Sequence, residues 1–511
     1  MYDAIVVGGG HNGLVAASYL GKAGKKVLLL EASKSLGGAT TSVRPFPDFD
    51  AKLSRYSYLV SLLPDQIIED LNINFKTISR SVSSYTPYKK DNADGGLLVS
   101  RNWDKQTEDS FESLTGSKAE GLAWQEFYGE ISEFAEKFAP FMLEPLLTRE
   151  QLKKKIGMDK VWEYLIERPI GQEIESRFIN DVVKGVVLTD ALIGTFVSAH
   201  DMQANICFLY HLIGNGTGEW KVPEGGMGQI VVELERVAKN FGVEIRTKSD
   251  VIEIKESAQS VVVKTFNGES YEGNNLLFAA APQLLAKLTG QSAPTALEGS
   301  QLKINMLLKK LPRLKSGLDP RLAFAGTFHV DESFSDLELA LSEAKSGTIP
   351  TKLPLEMYCH TLTDPTILSP YLIEQGYHTL TLFGIHTCAT LFDKDNEGVK
   401  EVLKQRALEG LNKYLIDPME EVLAVNNDGS LAIEVKSPLD LEEDVRLPRG
   451  NIFHRDLDFP FKDESEDRKV WGSETKSKRI FLAGAGAQRG GGVSGIAGHN
   501  AAMAILTAQN I

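Results

Sequence analysis

Residues 6–13, Val-Val-Gly-Gly-Gly-His-Asn-Gly, close a short apolar run and open a helix-compatible run from Leu14 to Ala23. A second apolar run, Val27 to Leu30, ends at Glu31. Strand, glycine turn, helix, strand and terminal acid follow one another in the order expected of a βαβ dinucleotide-binding unit. The sequence therefore predicts a Rossmann-like unit at this end of the chain.

Each residue of this unit has a physical role in holding a nucleotide. Gly8 allows the tight turn, Gly10 lets the backbone approach a pyrophosphate, and Gly13 lets the helix pack closely on the strand. The helix N-terminus offers unpaired N–H groups to the phosphates, and Glu31 can accept hydrogen bonds from a ribose hydroxyl. His11 is expected to touch the phosphate or the surroundings of a flavin.

This pattern does not distinguish NAD from FAD, and three other segments favour FAD. Residues 37–41, Gly-Gly-Ala-Thr-Thr, give side-chain-free backbone just after the acidic strand end. Residues 223–228, Pro-Glu-Gly-Gly-Met-Gly, precede a helix-like run and then the strand-like run 251–254, which indicates a return to the nucleotide domain. Near the C-terminus, an apolar strand leads into a glycine-rich loop at 484–495 and an Ala-rich helical run.

These segments together predict FAD as the cofactor. If residues 492–495 cap the last helix beside the flavin, their N–H groups and the helix dipole favour a negatively charged reduced flavin. The predicted cofactor-binding residues are Gly8, Gly10, His11, Asn12, Gly13, Glu31, Ala32, Gly37, Gly38, Ala39, Thr40, Gly226, Met227, Val251, Gly486, Gly492, Val493 and Ser494.

The alternation of these motifs along the chain predicts the domain organisation. The fold class is α/β, with a Rossmann-like FAD-binding domain interleaved with a substrate domain built on a mixed sheet with helices. Strand-like runs at Ile304–Leu308 and Thr379–Phe383 predict the sheet of the second domain. The FAD-binding domain takes residues 1–75, 221–290 and 440–511, and the substrate domain takes residues 76–220 and 291–439.

An aromatic segment between Trp124 and Thr148 has apolar side chains at helical spacing, with a break predicted at Pro140. This segment permits two interpretations. Its aromatic face either packs in the core, or forms a hydrophobic lid or membrane-facing entrance for a lipid-like substrate.

Composition limits the classes of function. The chain has 511 residues, 42% of them hydrophobic, and a net charge of −14 without a Lys/Arg stripe, which argues against a nucleic-acid partner. Its three cysteines form no CxxC pair, so a disulfide framework, a zinc site and a dithiol redox centre are not expected, and no metal is predicted. A strand predicted from Tyr2 argues against a signal peptide, and no apolar run reaches the about 18 residues that a membrane span needs. We therefore expect a cytoplasmic protein that either does or does not associate with a membrane surface.

Motifs along nearly the whole chain resemble those of phytoene desaturase-like FAD-dependent oxidoreductases, above all the group of pyridine nucleotide-disulfide oxidoreductase domain-containing proteins and their bacterial relatives. The most specific motifs are SRYSYLVSLLPDQIIEDL from Ser54, GNIFH from Gly450 and AGAGAQRGGGVSGIAGHNAA from Ala483. The resemblance implies a hydrophobic small-molecule substrate, isoprenoid, carotenoid-like or lipid. Gln488-Arg489 depart from the His-Pro common in that family, which puts substrate chemistry at that corner in doubt.

The sequence does not identify the catalytic residues. Candidates for an acid or base are His200, Asp201, His211, Glu224, His454 and Arg489, and none has a decisive spacing. The predicted reaction is hydride transfer to or from flavin, as in desaturation or saturation, or a flavin-assisted isomerisation. An amine-oxidase-like flavoenzyme and a flavin-bound interaction protein with little turnover are the alternatives, and the oligomeric state is unknown.

Overall fold

The computed structural model describes residues 1–466 and 469–508 and contains two large sheets flanked by helices. The strands are β1 Tyr2–Val7, β2 Val27–Leu30, β3 Ser42–Val43, β4 Leu53–Ser54, β5 Thr77–Ile78, β6 Val82–Lys90, β7 Ala93–Ser100, β8 Val222–Pro223, β9 Glu244–Arg246, β10 Val251–Glu256, β11 Val261–Thr265, β12 Ser270–Phe278, β13 Leu302–Leu308, β14 Thr327–Val330, β15 Leu355–Tyr358, β16 His378–Gly384, β17 Ile433–Lys436 and β18 Ile480–Leu482.

The α-helices are α1 His11–Lys22, α2 Asp65–Leu71, α3 Lys105–Thr115, α4 Ala119–Phe138, α5 Arg149–Ile156, α6 Asp159–Trp162, α7 Ile170–Arg177, α8 Asp181–Thr189, α9 Met202–Ile213, α10 Gly228–Asn240, α11 Pro282–Leu288, α12 Pro320–Ala323, α13 Phe334–Lys345, α14 Pro370–Glu374, α15 Asn396–Asn412, α16 Met419–Val422, α17 Pro438–Val445 and α18 Ile496–Ala508. Short 3₁₀ helices span Ala139–Leu143, Gly214–Gly216, His360–Leu362, Pro365–Ile367, Ala389–Phe392 and Pro448–Gly450, and a π-helical turn spans Glu163–Glu167.

The first sheet has the strand order β10-β11-β12-β1-β2-β9, with β18 beside the end of β12. Its centre is parallel: β1 pairs with β12 and β2, β2 pairs with β9, and β12 pairs with β18. Each of the three segments assigned to the FAD-binding domain therefore contributes at least one strand. The α/β fold class is confirmed, while the domain boundaries stay a prediction, and residues 509–511 of the third segment lie outside the described residues.

The second sheet has the order β17-β13-β16-β15-β14-β6-β7 and is antiparallel except where β14 meets β6. The strand-like runs at Ile304–Leu308 and Thr379–Phe383 form β13 and β16, which are direct neighbours, with Ile304 opposite Leu382. A mixed sheet with helices in the second half of the fold is thus confirmed.

The aromatic segment forms α4, which ends at Phe138, and a 3₁₀ helix with Pro140 in its first turn, so the predicted break is confirmed. Phe127, Ile131, Phe134 and Phe138 are buried in the core of the helical layer. This aromatic face therefore packs in the core. The other interpretation, in which these four side chains form a lid or a membrane-facing entrance, is wrong because protein already covers them.

The N-terminal unit depends on two very close backbone contacts. A Cβ at Gly13 would lie 2.0 Å from the Gly8 carbonyl oxygen, and a Cβ at Gly498 would lie 2.0 Å from the Asn12 carbonyl oxygen. Only glycine permits α1 to approach the turn and α18 to cross α1 at these distances. The two glycines therefore set the positions of both helices at the end of β1.

We expect Gly13→Ala to weaken the fold, because the turn or α1 must move to remove the clash with Gly8. The matched control is Gly129→Ala in α4, where an added Cβ would meet nothing within 4 Å. The control should be neutral or stabilising by up to about 1 kcal/mol, the helix propensity gain of alanine. Denaturant unfolding of both variants checks the pair, and equal stabilities would contradict the close approach at Gly13.

Candidate functional site

One elongated cleft begins where the parallel strands of the first sheet end and continues to the second sheet. Val7, Leu30 and Ala279, at or just beyond the ends of β1, β2 and β12, line one end, and Lys303 of β13 and Phe383 of β16 line the other. Ligands of open α/β sheets bind in this position, outside the carboxyl ends of the strands. The cleft is therefore the candidate site for both cofactor and substrate.

Most of the residues predicted to bind the cofactor lie together on the wall of this cleft. They are Gly8, Gly10, His11, Asn12, Glu31, Ala32, Gly37, Gly38, Ala39, Thr40, Val251, Gly492 and Val493. Their role in binding FAD stays a prediction, and their placement on one surface supports it.

The other five predicted residues lie behind the wall. Gly13 lies under the first turn, Met227 is buried and its N–H donates to Ser54 Oγ (3.0 Å), and a Cβ at Gly226 would meet Ser42 Oγ at 3.0 Å. The Gly486 carbonyl accepts from Arg455 Nε (2.6 Å), and Ser494 Oγ accepts from the N–H of Ile496 (3.2 Å). These residues shape the site from outside the surface that a cofactor would touch.

The backbone near the first turn has the geometry that a pyrophosphate requires. Gly8 and Gly37 have φ angles of 105° and 123°, which favour glycine, and the Gly37 N–H donates to the Gly9 carbonyl (2.9 Å). A Cβ at Gly10 would have no neighbour nearer than 4.0 Å, so open space lies in front of it. Gly10 precedes α1 and makes no side-chain cap, which leaves the helix N–H groups for a phosphate.

Glu31 is held in place by backbone donors at the far end of this turn. Its Oε2 accepts from the Gly9 N–H and its Oε1 from the Ser33 N–H, each at 2.7 Å. Each carboxylate oxygen retains a second lone pair, so Glu31 can still accept from a ribose hydroxyl. The side chain thus joins the glycine turn to the end of β2, and Glu31 lines the cleft.

The opposite end of the cleft is aromatic. The Tyr58 ring lies 4.6 Å from that of Phe383 and 4.4 Å from that of Tyr358, and it stacks on Trp220 at 6.3 Å. Trp220 in turn stacks on His211 at 5.1 Å. These rings exclude water and provide flat apolar surface for a substrate.

Lys303 is a residue of this end that the motif analysis missed. Its side chain is 2% exposed, and Nζ has no hydrogen-bond partner among the described residues. Nζ lies 4.0 Å from the ring centre of Phe383 and 5.1 Å from that of Tyr58. Burial lowers the pKa of Lys303 well below its ordinary value. The available signal was a lysine within the strand run 302–308, in which every other residue except Asn305 is apolar.

The acid and base candidates separate into two groups. His211 and His454 line the cleft, and burial lowers the pKa of each to about 4, so both are neutral at pH 7. Glu224 and His200 are exposed, and Asp201 caps α9 by accepting from the Gln203 N–H. Their positions outside the cleft give Glu224, His200 and Asp201 no access to a reaction there.

Arg489 is fully buried and serves as a clamp. Its Nη1 donates to the carbonyls of Phe141 (2.8 Å) and Glu144 (2.6 Å), and its Nη2 donates to that of Trp471 (2.7 Å). The neighbouring Gln488 donates to the carbonyls of Phe459 and Phe461. The two residues that depart from the family pattern therefore hold loops together beside the site.

Two other structural properties bear on function. Within residues 1–466 and 469–508, the His, Cys, Asp and Glu side chains form no group of three or more that could hold a metal ion. None of the helices in the same part of the chain is long and apolar enough to cross a membrane.

Known proteins match this chain over most of its length. The model of the family described as flavin containing amine oxidoreductase matches residues 13–304. An uncharacterized protein of Mycobacterium tuberculosis is 42% identical, covering 99% of this chain and 97% of its own. Pyridine nucleotide-disulfide oxidoreductase domain-containing protein 2 of Mus musculus is 28% identical (99% and 93%). Chloroplastic prolycopene isomerase of Daucus carota is 26% identical (84% and 69%).

Among solved structures, a redesigned putrescine oxidase superposes with a TM-score of 0.61 at 18% identity, covering 99% of each chain. At this identity the likeness concerns the fold alone.

We expect Glu31→Ala to weaken FAD binding by about 1–3 kcal/mol, because a ribose hydroxyl and the Gly9 and Ser33 N–H groups lose their acceptor. Glu31→Gln keeps one accepting oxygen and should lose less. Glu253→Ala, at an acid of β10 that forms an ion pair with Lys255 and does not line the cleft, is the control. Fluorescence titration of the FAD-free protein gives the dissociation constants, and an unchanged value for Glu31→Ala would mean that Glu31 does not contact the cofactor.

His211 makes the stability of the protein depend on pH. Its pKa is about 4 when folded and about 6.5 when unfolded, so its contribution is fully present above pH 6.5 and is lost as the pH falls toward 4. The difference in unfolding free energy between the wild type and His211→Gln should therefore be smaller at pH 5 than at pH 7.5. Denaturant unfolding at the two pH values measures it, and a constant difference would show that His211 is not buried in its neutral form.

Proposed function

Since this chain belongs to the flavin containing amine oxidoreductase family, and is thus an FAD-dependent oxidoreductase, we propose that it acts on a hydrophobic substrate. The substrate class is isoprenoid, carotenoid-like or lipid, as for phytoene desaturase-like enzymes. The reaction is hydride transfer to or from the flavin at a carbon–carbon bond, or a flavin-assisted isomerisation.

The observation that carries this proposal is the position of Lys303 in the aromatic end of the cleft. Its Nζ already occupies the ring faces of Phe383 and Tyr58, where the ammonium of an amine substrate would be held by the rings. The remaining wall includes Leu62, Ile193 and Phe453, which suit an apolar molecule. The similarity to a relative named prolycopene isomerase supports the same substrate class.

Some residues of the cleft hold the cofactor, and others shape the substrate end. Bound FAD supplies the acceptor or donor of a hydride. Gly10 and Gly38 bring backbone without a side chain up to its phosphates, and Glu31 holds its ribose. Gly8 and Gly37 shape the turns, and their N–H groups donate to the carbonyls of Leu30 and Gly9. Residues 492–494, before the N-terminus of α18, place N–H groups and a helix dipole where they favour negative charge. Tyr58, Trp220 and Phe383 exclude water from the reacting end.

The proposed substrate is a small molecule, and the proposed enzyme is cytoplasmic. Peripheral contact with a membrane would deliver an apolar substrate to the cleft. The second candidate function is an amine-oxidase-like flavoenzyme, which the matching family model favours. The third candidate function is that of a flavin-bound interaction protein with little turnover.

We expect the purified protein to be yellow and to release free FAD on denaturation, because no residue stands in a motif for covalent attachment. Anaerobic mixing with prenyl alcohols, carotenoids or phospholipids should bleach the flavin absorbance, whereas putrescine and benzylamine should not. Bleaching by the amines alone would select the amine oxidase. The absence of bleaching by every probe would exclude hydride transfer from these lipids to the flavin. If the same lipids also neither reoxidise the dithionite-reduced protein nor isomerise in its presence, the proposal is contradicted and the interaction protein is favoured.

Ile193→Trp fills the substrate end and should slow flavin reduction by the active probe at least tenfold, with FAD content unchanged. Ile416→Trp makes the same change at an exposed position and should have no effect. An unchanged rate in Ile193→Trp would exclude this end of the cleft as the substrate site.

A further inference from the structure

A second cavity of about 680 Å³ lies beside the cleft. This volume is within the range of sites that bind small molecules. Leu62, Tyr210 and Gly491 line both spaces, so the cavity and the cleft adjoin at these three residues. Of the residues predicted to bind the cofactor, Ser494 alone lines the cavity, and the rest lie elsewhere. The cavity is therefore space that the cofactor motifs leave unused.

The lining of the cavity is exposed at its mouth and mostly apolar where it is buried. The exposed residues at the mouth are Gln66, Ser132, Glu136, Pro140 and Thr217. The buried apolar residues are Leu62, Met142, Ile213 and Ile496. Of the described residues that line the cavity, Glu136 alone is acidic, and water solvates it at the mouth. This lining suits a mainly apolar ligand and does not repel an anion from the buried part.

Arg489 is the charged residue of the buried part. It is 1% exposed, and burial lowers its pKa to about 10, so it keeps its charge at pH 7. Its hydrogen bonds go to neutral backbone carbonyls, and no carboxylate of residues 1–466 and 469–508 forms an ion pair with it. Glu474, whose charge acts on Arg489, accepts instead from the Val470 and Trp471 N–H groups. Since a buried charge normally has a counterion, an anion in the cavity would supply the missing one.

The guanidinium of Arg489 retains two N–H groups for a ligand. An arginine side chain carries five N–H donors. Nη1 donates to the carbonyls of Phe141 and Glu144, and Nη2 donates one of its two N–H groups to that of Trp471. Nε has no hydrogen-bond partner among the described residues. The free N–H groups of Nε and Nη2 lie on the same edge of the planar group, and that edge pairs with both oxygens of a carboxylate.

Ser494 offers a second donor in the buried part of the cavity. It is 1% exposed, and its Oγ accepts from the Ile496 N–H (3.2 Å), which leaves its own O–H to donate. Ser494 precedes α18, a helix of 13 residues whose N-terminus favours negative charge nearby. Arg489 and Ser494 thus combine a cation, a hydroxyl donor and a helix dipole around one buried space.

We propose that the second cavity holds the head group of the substrate, and that this head group is a carboxylate bound by Arg489. The inference rests on the proposed function and narrows its substrate to lipid carboxylates. One oxygen accepts from Nε and the other from Nη2 of Arg489, and Ser494 donates to one of them. The apolar chain passes Leu62 and Tyr210 into the cleft, where it reaches the flavin. Arg489, which departs from the family pattern, thus determines specificity for the head group.

The first test measures head-group selectivity in the FAD-bound protein. Calorimetry should show that decanoate binds at least tenfold more tightly than decan-1-ol, because only the acid pairs with Arg489. Decyl phosphate has the same chain and another anionic head, and it should bind no more tightly than decanoate, because the two free N–H groups match the two oxygens of a carboxylate. Tighter binding of decyl phosphate would overturn the carboxylate, and equal binding of the acid and the alcohol would overturn the anion site.

Arg489→Lys tests the guanidinium. It keeps the charge and loses the paired N–H groups, so it should weaken decanoate binding at least tenfold and leave decan-1-ol binding unchanged. Because Arg489 also holds three carbonyls, Ser132→Trp provides a variant that leaves Arg489 in place and narrows the mouth, and it should also weaken decanoate binding at least tenfold. Gln125→Trp makes a similar change at an exposed position of the same helix outside the cavity and should have no effect. An unchanged decanoate affinity in either folded cavity variant would overturn the proposal.

The third test connects the head group to turnover. In anaerobic flavin reduction, linoleate should reach its half-maximal rate at a concentration at least tenfold lower than linoleyl alcohol. Arg489→Lys should raise that concentration for linoleate and leave the maximal rate and the alcohol unchanged, a split that a merely structural role would not produce. Equal half-maximal concentrations for the acid and the alcohol would overturn the proposal. The binding tests need no turnover, so if they succeed while no lipid reacts with the flavin, the anion site stands and the proposed function is wrong.

Discussion

The approach of α1 to the turn after β1 is the constraint on which the rest of the structure depends. Gly13 lets α1 lie against the Gly8 carbonyl, and Gly498 lets α18 cross α1 at Asn12. These contacts bring residues from both ends of the chain to the ends of the parallel strands. The cleft opens there because the sheet, α1 and the loop before α18 leave backbone N–H groups facing a common space.

The second constraint is the buried polar face of the second sheet, which includes Lys303, His329 and Glu356. Burying Lys303 and Glu356 without full hydrogen bonding costs free energy, and a chain selected for stability alone would place apolar side chains there. The cost is tolerated where the groups have a chemical use, and this face adjoins the aromatic end of the cleft. Stability comes instead from the apolar cores on the other face and in the helical layer.

Local patterns were sufficient for the elements that carry strong periodicity. The strands after Tyr2 and Val27, the helix that ends before Pro140 and the strands at 304–308 and 379–383 all form as predicted. Thirteen of the predicted cofactor residues share one surface for the same reason, since glycine turns specify their own geometry. Met227 and Ser494 lie behind that surface. They were predicted to bind the cofactor because a motif locates a segment of the chain but does not specify which of its side chains face the cleft.

The sequence by itself determined the α/β class, the glycine turn after β1 and FAD as the cofactor, because these depend on short-range spacing of glycine, apolar and acidic residues. Only the tertiary structure decided what surrounds the substrate end. Lys303, Phe383, Glu356 and His329 lie up to 80 residues apart in the chain, and strand pairing alone aligns them in one row. Similarly, only the tertiary structure decided that the helical layer, and not the solvent, covers the aromatic face of α4.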